Sequence, residues 1–391
     1  MKVINGIVID WRGNVIDEND HTYRANGNNI ISRLFKYYRF ALDPKKKNVY
    51  IVKLFVTMCQ IHDNLEFDYI RLLDKLESLA YDNSRDTLIF ILDFESSAAF
   101  NHNCYVMMNK MRPNYKLERI FWADERINTM QNSPGSFRHL NFVSQTDEIH
   151  SVEHFKDIIH PLIKNKLFLS LNRRIKEHRI MLVGRLIEED LQDRSYISWF
   201  NNLEGRDYRE WTLYATRFLN DERRQKYIEY LSKDLTLDQS FQEIDSGLQR
   251  GSSKDLDRYY LDSYISLVTE TRFSEEEISV TEKTFKPIAH KHPFIIIGQY
   301  KFLEYVRKLG YKTFHPYINE SYDTIKNHHD RFEAIIKEIK RIANMNQSEL
   351  INIMIGLQDI TEFNYNIHNK NNMYLDYKLT SFMKKIDQFS N

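Results

Sequence analysis

The sequence predicts an α/β protein of two domains, each built on a parallel sheet with crossover helices. Three stretches predict it. Thr87–Asp93 (TLIFILD) is a continuous apolar run of the kind buried on both faces in the middle of a parallel sheet. Pro293–Gly298 (PFIIIG) is a second such run. The third is the whole of Tyr264–Asp323, where strand and helix patterns alternate at βαβ spacing. A strand pattern over Tyr264–Thr271 leads through a loop to Thr281-Glu282-Lys283 at the mouth of a helix. The Pro293–Gly298 strand follows, then a helix over Lys301–Leu309 stopped by Gly310, then a short strand over Tyr311–Phe314. Ligands of such sheets sit beyond the carboxyl ends of the strands, where Glu270, Thr281, Glu282 and Lys283 gather.

The remaining elements follow in order. Val3–Asp10 reads as a strand, and Ile30–Phe40 as a helix with Leu34, Tyr37 and Tyr38 on one side. Asn48–Val56 is a β-branched strand, and Phe67–Leu79 has helical spacing at Ile70, Leu73, Leu76 and Leu79. Leu117–Ala123 and Asn141–Ser144 complete the strands of a first, Rossmann-like domain over residues 1–163. Pro161–Lys166 reads as the linker, because a proline and lysines separate two patterned regions. A second Rossmann-like domain, residues 164–345, opens with the strand Leu167–Leu171, the turn Asn172-Arg173-Arg174 and a helix over Glu177–Leu191. Arg194–Arg258 is polar and aromatic with weak period, and a helix is expected over Arg223–Lys233. Arg331–Ala343 is amphipathic, with Phe332, Ile335, Ile336 and Ile339 inward. Ser348 is the expected cap of a helix over Glu349–Leu357, and residues 346–391 read as a C-terminal helical segment.

A chain of 391 residues is long enough for two cores. Its 55 Lys and Arg balance 55 Asp and Glu, so no global field attracts nucleic acid or an anionic membrane. Locally the charge is uneven: Arg33–Lys53 and Lys164–Arg185 are basic, and Asp255–Glu282 is acidic. Cys59 and Cys104 are too few for a disulfide framework and lack metal-ligand spacing, which reads as reduced thiols. The opening residues, MKVINGIVID, lack the features of a signal peptide, and no apolar run has the length of a membrane span. The expectation is a soluble, cytoplasmic protein with no membrane partner.

Four groups of residues could carry chemistry. Thr281 caps a helix N-terminus, which presents free N–H groups and suits an anion. Lys283 in the first turn opposes the helix dipole, a local cost explained if its ammonium reaches a phosphate. Glu282 can accept hydrogen bonds from a ribose diol; the plainer alternative is a capped helix with a solvated lysine. Arg173, Arg174 and Arg179 follow the first strand of the second domain, and guanidinium groups suit a diphosphate, although a solvated basic turn has the same composition. Asp93 and Glu95, after the TLIFIL run, could serve as a general base, or could cap a helix. His150 and His154 have a spacing that can bind zinc, and His160 lies on the same possible helix, but no Cys or carboxylate set completes a site, and no metal is expected. P-loop, G-x-G-x-x-G and G-x-S-x-G motifs are absent from the sequence.

In order along the chain come Leu171-Asn172-Arg173-Arg174 with His178-Arg179, Thr281–Ile288, Pro293–Ile297, Leu309–Phe314 and Glu320–Asp323. This set resembles the second-domain nucleotide site of GT-B glycosyltransferases, in appearance most like glycosyltransferase-like proteins of tailed phages. The resemblance covers residues 167–345. It implies two Rossmann-like domains of GT-B type facing each other across a cleft, the donor on the second and the acceptor on the first. It further implies a nucleoside diphosphate sugar as co-substrate, a UDP-sugar favoured, and chemistry without a metal. Arg173, Arg174, Arg179 and Lys283 would neutralise the departing diphosphate, and Glu282 with Glu270 would hold the ribose. Glu95 or Asp93 would deprotonate the acceptor. A hydroxymethylated base in phage DNA is one acceptor this implies, and a glycan or protein is another. A non-catalytic nucleotide- or DNA-binding module on the same fold is the rival from a different class.

Overall fold

The structure, a computed structural model, describes residues 2–9, 15–16, 38–41, 50–55, 87–92, 120–124, 138–141, 156–172, 175–200, 207–233, 235, 237, 253–274, 278 and 280–388. The chain divides into two compact units, Met1–Glu148 with Asn371–Asn391, and Ile149–Lys370.

The first unit carries a seven-stranded sheet. Its strands are β1 (Lys2–Ile9), β2 (Val15–Ile16), β3 (Tyr38–Ala41), β4 (Tyr50–Phe55), β5 (Thr87–Leu92), β6 (Ile120–Asp124) and β7 (Arg138–Asn141). β1, β4, β5, β6 and β7 lie side by side in that order and are all parallel. The long stretches between them suit the crossovers that parallel neighbours require. β3 also pairs parallel with β1, Lys2 opposite Tyr38, and β2 pairs with it antiparallel. The helix expected through Phe40 is therefore corrected: Tyr38–Ala41 is a strand. Arg39 and Ala41, two residues apart on this strand, are both exposed. The strand expected to start at Asn141 instead ends there. The helix over Phe67–Leu79 lies outside the described residues, as do Asp93 and Glu95.

The second unit is built on a four-stranded parallel sheet of β8 (Lys166–Leu171), β9 (Ser195–Ser198), β10 (Ser263–Thr269) and β11 (Phe294–Ile297). The spatial order is β11-β10-β8-β9. The chain steps one way from β8 to β9, then returns to the other side of β8 for β10 and β11. That reversal is the doubly wound pattern, and it puts a crevice beyond the carboxyl ends of β8 and β10. Every residue of β10 and of β11 is buried, although β11 stands at the end of the strand order.

The helices are α1 (Glu177–Glu188), α2 (Tyr208–Ala215), α3 (Asp221–Tyr230), α4 (Ser253–Leu261), α5 (Glu282–Ala289), α6 (Phe302–Lys308), α7 (His328–Ala343) and α8 (Gln347–Gln388). α1 packs tightly on α3 through Gly184, where a Cβ would come within 2.3 Å of the Tyr227 ring. Three elements in the weakly patterned region were not expected. β9 is only four residues long and half serine, and α2 and α4 are short.

Two expectations are corrected here. Tyr311–Phe314 joins no sheet among the described residues. The Asn364 side chain of α8 takes the place of a partner strand: its Oδ1 accepts from Lys312 N–H at 2.8 Å and its Nδ2 donates to Lys312 O at 2.8 Å. Asn346, not Ser348, caps α8. Its Oδ1 accepts from Glu349 N–H at 3.0 Å while the Glu349 carboxylate accepts from Asn346 N–H at 2.8 Å, a reciprocal capping box.

The expected linker is part of the second unit. Lys164 N–H donates to the Tyr264 hydroxyl at 3.2 Å, and the His160 ring bonds to His290 O at 2.7 Å. The division therefore falls at Glu148 instead of 163, and the C-terminal segment expected over 346–391 is shared between the units. No helix among the described residues is long and apolar enough to cross a membrane.

Candidate functional site at the carboxyl ends of β8 and β10

Glu270 directly follows β10 and is fully buried. A carboxylate without solvent must find donors inside the protein. It finds four. Oε1 accepts from Thr281 N–H at 3.1 Å and from the Thr284 hydroxyl. Oε2 accepts from the Thr281 hydroxyl at 2.5 Å and from Thr271 N–H at 3.1 Å. Glu270 thus sits against the N-terminus of α5, where a negative charge meets the positive end of the dipole. Its oxygens are committed to joining α5 to β10, so the expectation that Glu270 holds a ribose is withdrawn.

Thr281 is extended, with φ −118° and ψ 174°, and caps α5 by accepting from Lys283 N–H at 3.4 Å. Asn172 plays a similar joining role after β8. Its Oδ1 accepts from the Thr269 hydroxyl at 2.8 Å, its Nδ2 donates to Ser170 Oγ at 2.9 Å, and its N–H donates to Ser198 Oγ at 2.9 Å. The ends of β8, β9 and β10 are thereby fastened together.

Three cations converge on this edge. Lys283 Nζ donates to the hydroxyls of Thr271 and Thr281 at 3.4 and 3.3 Å. Lys176 Nζ donates to Thr271 O at 2.7 Å, so Thr271 receives both ammonium groups. The buried Arg179 guanidinium donates to Thr269 O at 3.3 Å. The buried His178 ring donates to Glu270 O at 2.8 Å. Burial holds its pKa well below the ordinary value, and Arg179, Lys176 and Lys283 push it down further, so this imidazole is neutral.

Beside the cations opens a pocket of about 640 Å³. Lys176, His178 and Met181 of the α1 end, Trp211 of α2 and Phe218 after it contribute to its walls. Glu177 of α1, Thr271 and Phe273 after β10, and His328, Asp330, Phe332 and Glu333 of α7 contribute as well. Phe273 is held in place by Arg331, whose guanidinium lies 4.7 Å from the ring centre and donates to Phe273 O at 2.6 Å. The same guanidinium donates to Gly298 O, Ile325 O and Lys326 O, at 3.1, 2.8 and 3.0 Å. Burial pulls its pKa down to about 10, and Arg331 stays cationic at neutral pH.

Of the expected site residues, Thr281, Lys283 and Arg179 come together. Arg173 and Arg174 lie outside the described residues, as does the side chain of Glu282. Sequence reasoning missed Lys176. The rule that singled out Lys283 applies to it equally: Lys176 stands at the N-cap of α1, where a cation opposes the dipole and makes no side-chain cap bond. The aromatic walls come from weakly patterned loops and gave no periodic signal. His160 is engaged on both ring nitrogens, by His290 O at 2.7 Å and Lys164 Nζ at 2.9 Å, which leaves it no lone pair for a metal. No model of a known protein family matches the chain, and no curated protein matches it.

Proposed function

We infer that the second unit binds a nucleoside diphosphate sugar and that the protein transfers the sugar to a hydroxyl acceptor. The observation that carries this is the gathering of Lys176, Arg179 and Lys283 beyond the carboxyl ends of β8 and β10, at the reversal of strand order. Cations from two helix starts meeting at one strand edge suit a polyanion, whose charge attracts all of them. The carboxylate beside them, Glu270, takes its hydrogen bonds from Thr271, Thr281 and Thr284.

In the transfer, the bond from the anomeric carbon to the diphosphate oxygen breaks as the acceptor oxygen attacks that carbon. The electron pair leaves with the diphosphate, where Lys176, Arg179 and Lys283, joined by Arg173 and Arg174, neutralise it. The acceptor proton passes to a carboxylate, Glu95 or Asp93, in an inverting reaction. Glu282 remains the residue for the ribose diol. A GT-B enzyme of this kind acts in the cytoplasm on its soluble donor, and a hydroxymethylated base in phage DNA is the first acceptor to try.

The test is calorimetric titration of the full chain with UDP, GDP, CDP and dTDP without added metal. One or more should bind, and Lys176→Ala and Lys283→Ala should each weaken binding by about tenfold or more. Nucleotide affinity unchanged in both variants would refute the site.

A further inference from the structure

We propose that the pocket beside the cations seats the nucleobase of the donor and selects guanine over uracil; this rests on the diphosphate reading above. Continuity is the first ground. Lys176 and Thr271 line the pocket, and Thr271 also receives the Lys283 ammonium, so a nucleotide whose phosphates meet the cations extends its base into the pocket. The second ground is shape and surface. About 640 Å³ is ample for a nucleoside, and Trp211 and Phe218 contribute aromatic surface for stacking. Phe218 leaves 48% of its surface in solvent, an exposure that a stacked base would reduce.

The edge of the base is read by acceptors. Away from Lys176, the charged lining is Glu177, Asp330 and Glu333. Glu177 accepts from Arg217 at 2.9 Å and Glu333 from Arg185 at 3.0 Å. Asp330 is exposed in the first turn of α7, and its carboxylate takes no hydrogen bond or ion pair among the described residues. A carboxylate is a pure acceptor with two oxygens side by side. Guanine presents N1–H and an exocyclic N2–H on one edge and matches it with two parallel bonds. Uracil offers one N–H between two carbonyl oxygens, which the same carboxylate repels. On this reading the donor is a GDP-sugar, where the resemblance implies a UDP-sugar.

Three ligands decide the matter on the full chain without metal: GDP, UDP and inorganic pyrophosphate. GDP should bind about tenfold tighter than UDP, and Phe218→Ser should weaken GDP by about tenfold while leaving pyrophosphate within about twofold. Asp330→Asn should bring the GDP and UDP affinities together. Both side chains are exposed, so neither change should unfold the protein, and circular dichroism checks this. UDP binding as tightly as GDP, or GDP binding indifferent to both substitutions, overturns the base pocket. Pyrophosphate binding that still depends on Lys283 would then leave the diphosphate site standing. Failure of all three ligands to bind overturns both.

Discussion

Lys164 lies just before β8, and its burial sets a pH dependence. Its ammonium donates to His160 Nδ1 at 2.9 Å and Tyr260 O at 3.2 Å, with His290, Lys291 and His292 close to the same imidazole. Burial lowers the lysine pKa from 10.5 to about 7, with Asp262 opposing the shift. The unfolded chain therefore holds a proton that the folded chain has shed between pH 7 and pH 10.5. Stability rises with pH across that window, by up to about 1.4 kcal/mol per pH unit for this group. His160, lowered to about 3, acts in a separate acidic window, and the raised tyrosines act only above pH 10. The urea midpoint should be higher at about pH 9 than at about pH 7, and Lys164→Met should flatten the difference. Equal pH slopes in parent and variant would mean that Lys164 stays charged in the fold. The same scale explains what sequence reasoning could and could not see in the site. Thr281, Lys283 and Arg179 were found because helix starts and strand ends are written locally. That Glu270 is spent on the fold was not legible, because its four donors lie on residues 271, 281 and 284 and only the closed loop brings them to it.

Among elements, the apolar run Phe294–Ile297 is a buried strand, because its own residues suffice to declare burial, although it stands at the end of the strand order. Segments whose hydrogen bonds go to distant side chains do not declare themselves in this way. Tyr311–Phe314 has a strand's composition, yet Asn364 satisfies Lys312 and the Glu320 carboxylate accepts from Phe314 N–H at 2.5 Å. The Glu320–Asp323 motif, singled out for its likeness to glycosyltransferases, turns out to build this corner. Asp323 accepts from Leu303 N–H at 2.8 Å and Glu304 N–H at 3.0 Å, capping α6 from outside its own sequence. Lys301, the residue at the N-cap of α6, is left-handed with φ 62° and makes no side-chain cap bond. Asp323→Ala should therefore cost about 1–3 kcal/mol in urea unfolding, because the buried Leu303 N–H and the half-buried Glu304 N–H lose their acceptor. Asp323→Asn should recover part of that, since one oxygen remains. A neutral Asp323→Ala would show that α6 is held by Phe302, Leu303 and Val306 packing alone. Donor binding should survive in both variants, which separates this corner from the cation site.

At the scale of the whole molecule, the sequence announced two parallel sheets but not where one unit gives way to the next. Proline and lysine content pointed to Pro161–Lys166, whereas the boundary follows tertiary bonds: Lys291 Nζ donates to Lys156 O at 2.6 Å, and Lys164 bonds to Tyr260 and Tyr264. The far end is set the same way. Tyr365 lies 4.8 Å from the Lys291 ammonium, and His368 stacks on Phe285 at 5.7 Å, which binds α8 into the second unit up to Lys370. The second unit therefore owns a complete sheet, its covering helices, the three cations and the aromatic pocket. A fragment of residues 149–370 should unfold in one cooperative transition and bind nucleoside diphosphate within about threefold of the full chain. A fragment ending at residue 345 should not, because it exposes the faces of Phe285 and Tyr311 that α8 covers. On the proposal that Asp93 or Glu95 is the base, the 149–370 fragment transfers no sugar. Folded but nucleotide-blind behaviour would mean that the first unit contributes to donor binding, and the division of labour between the units would have to be redrawn.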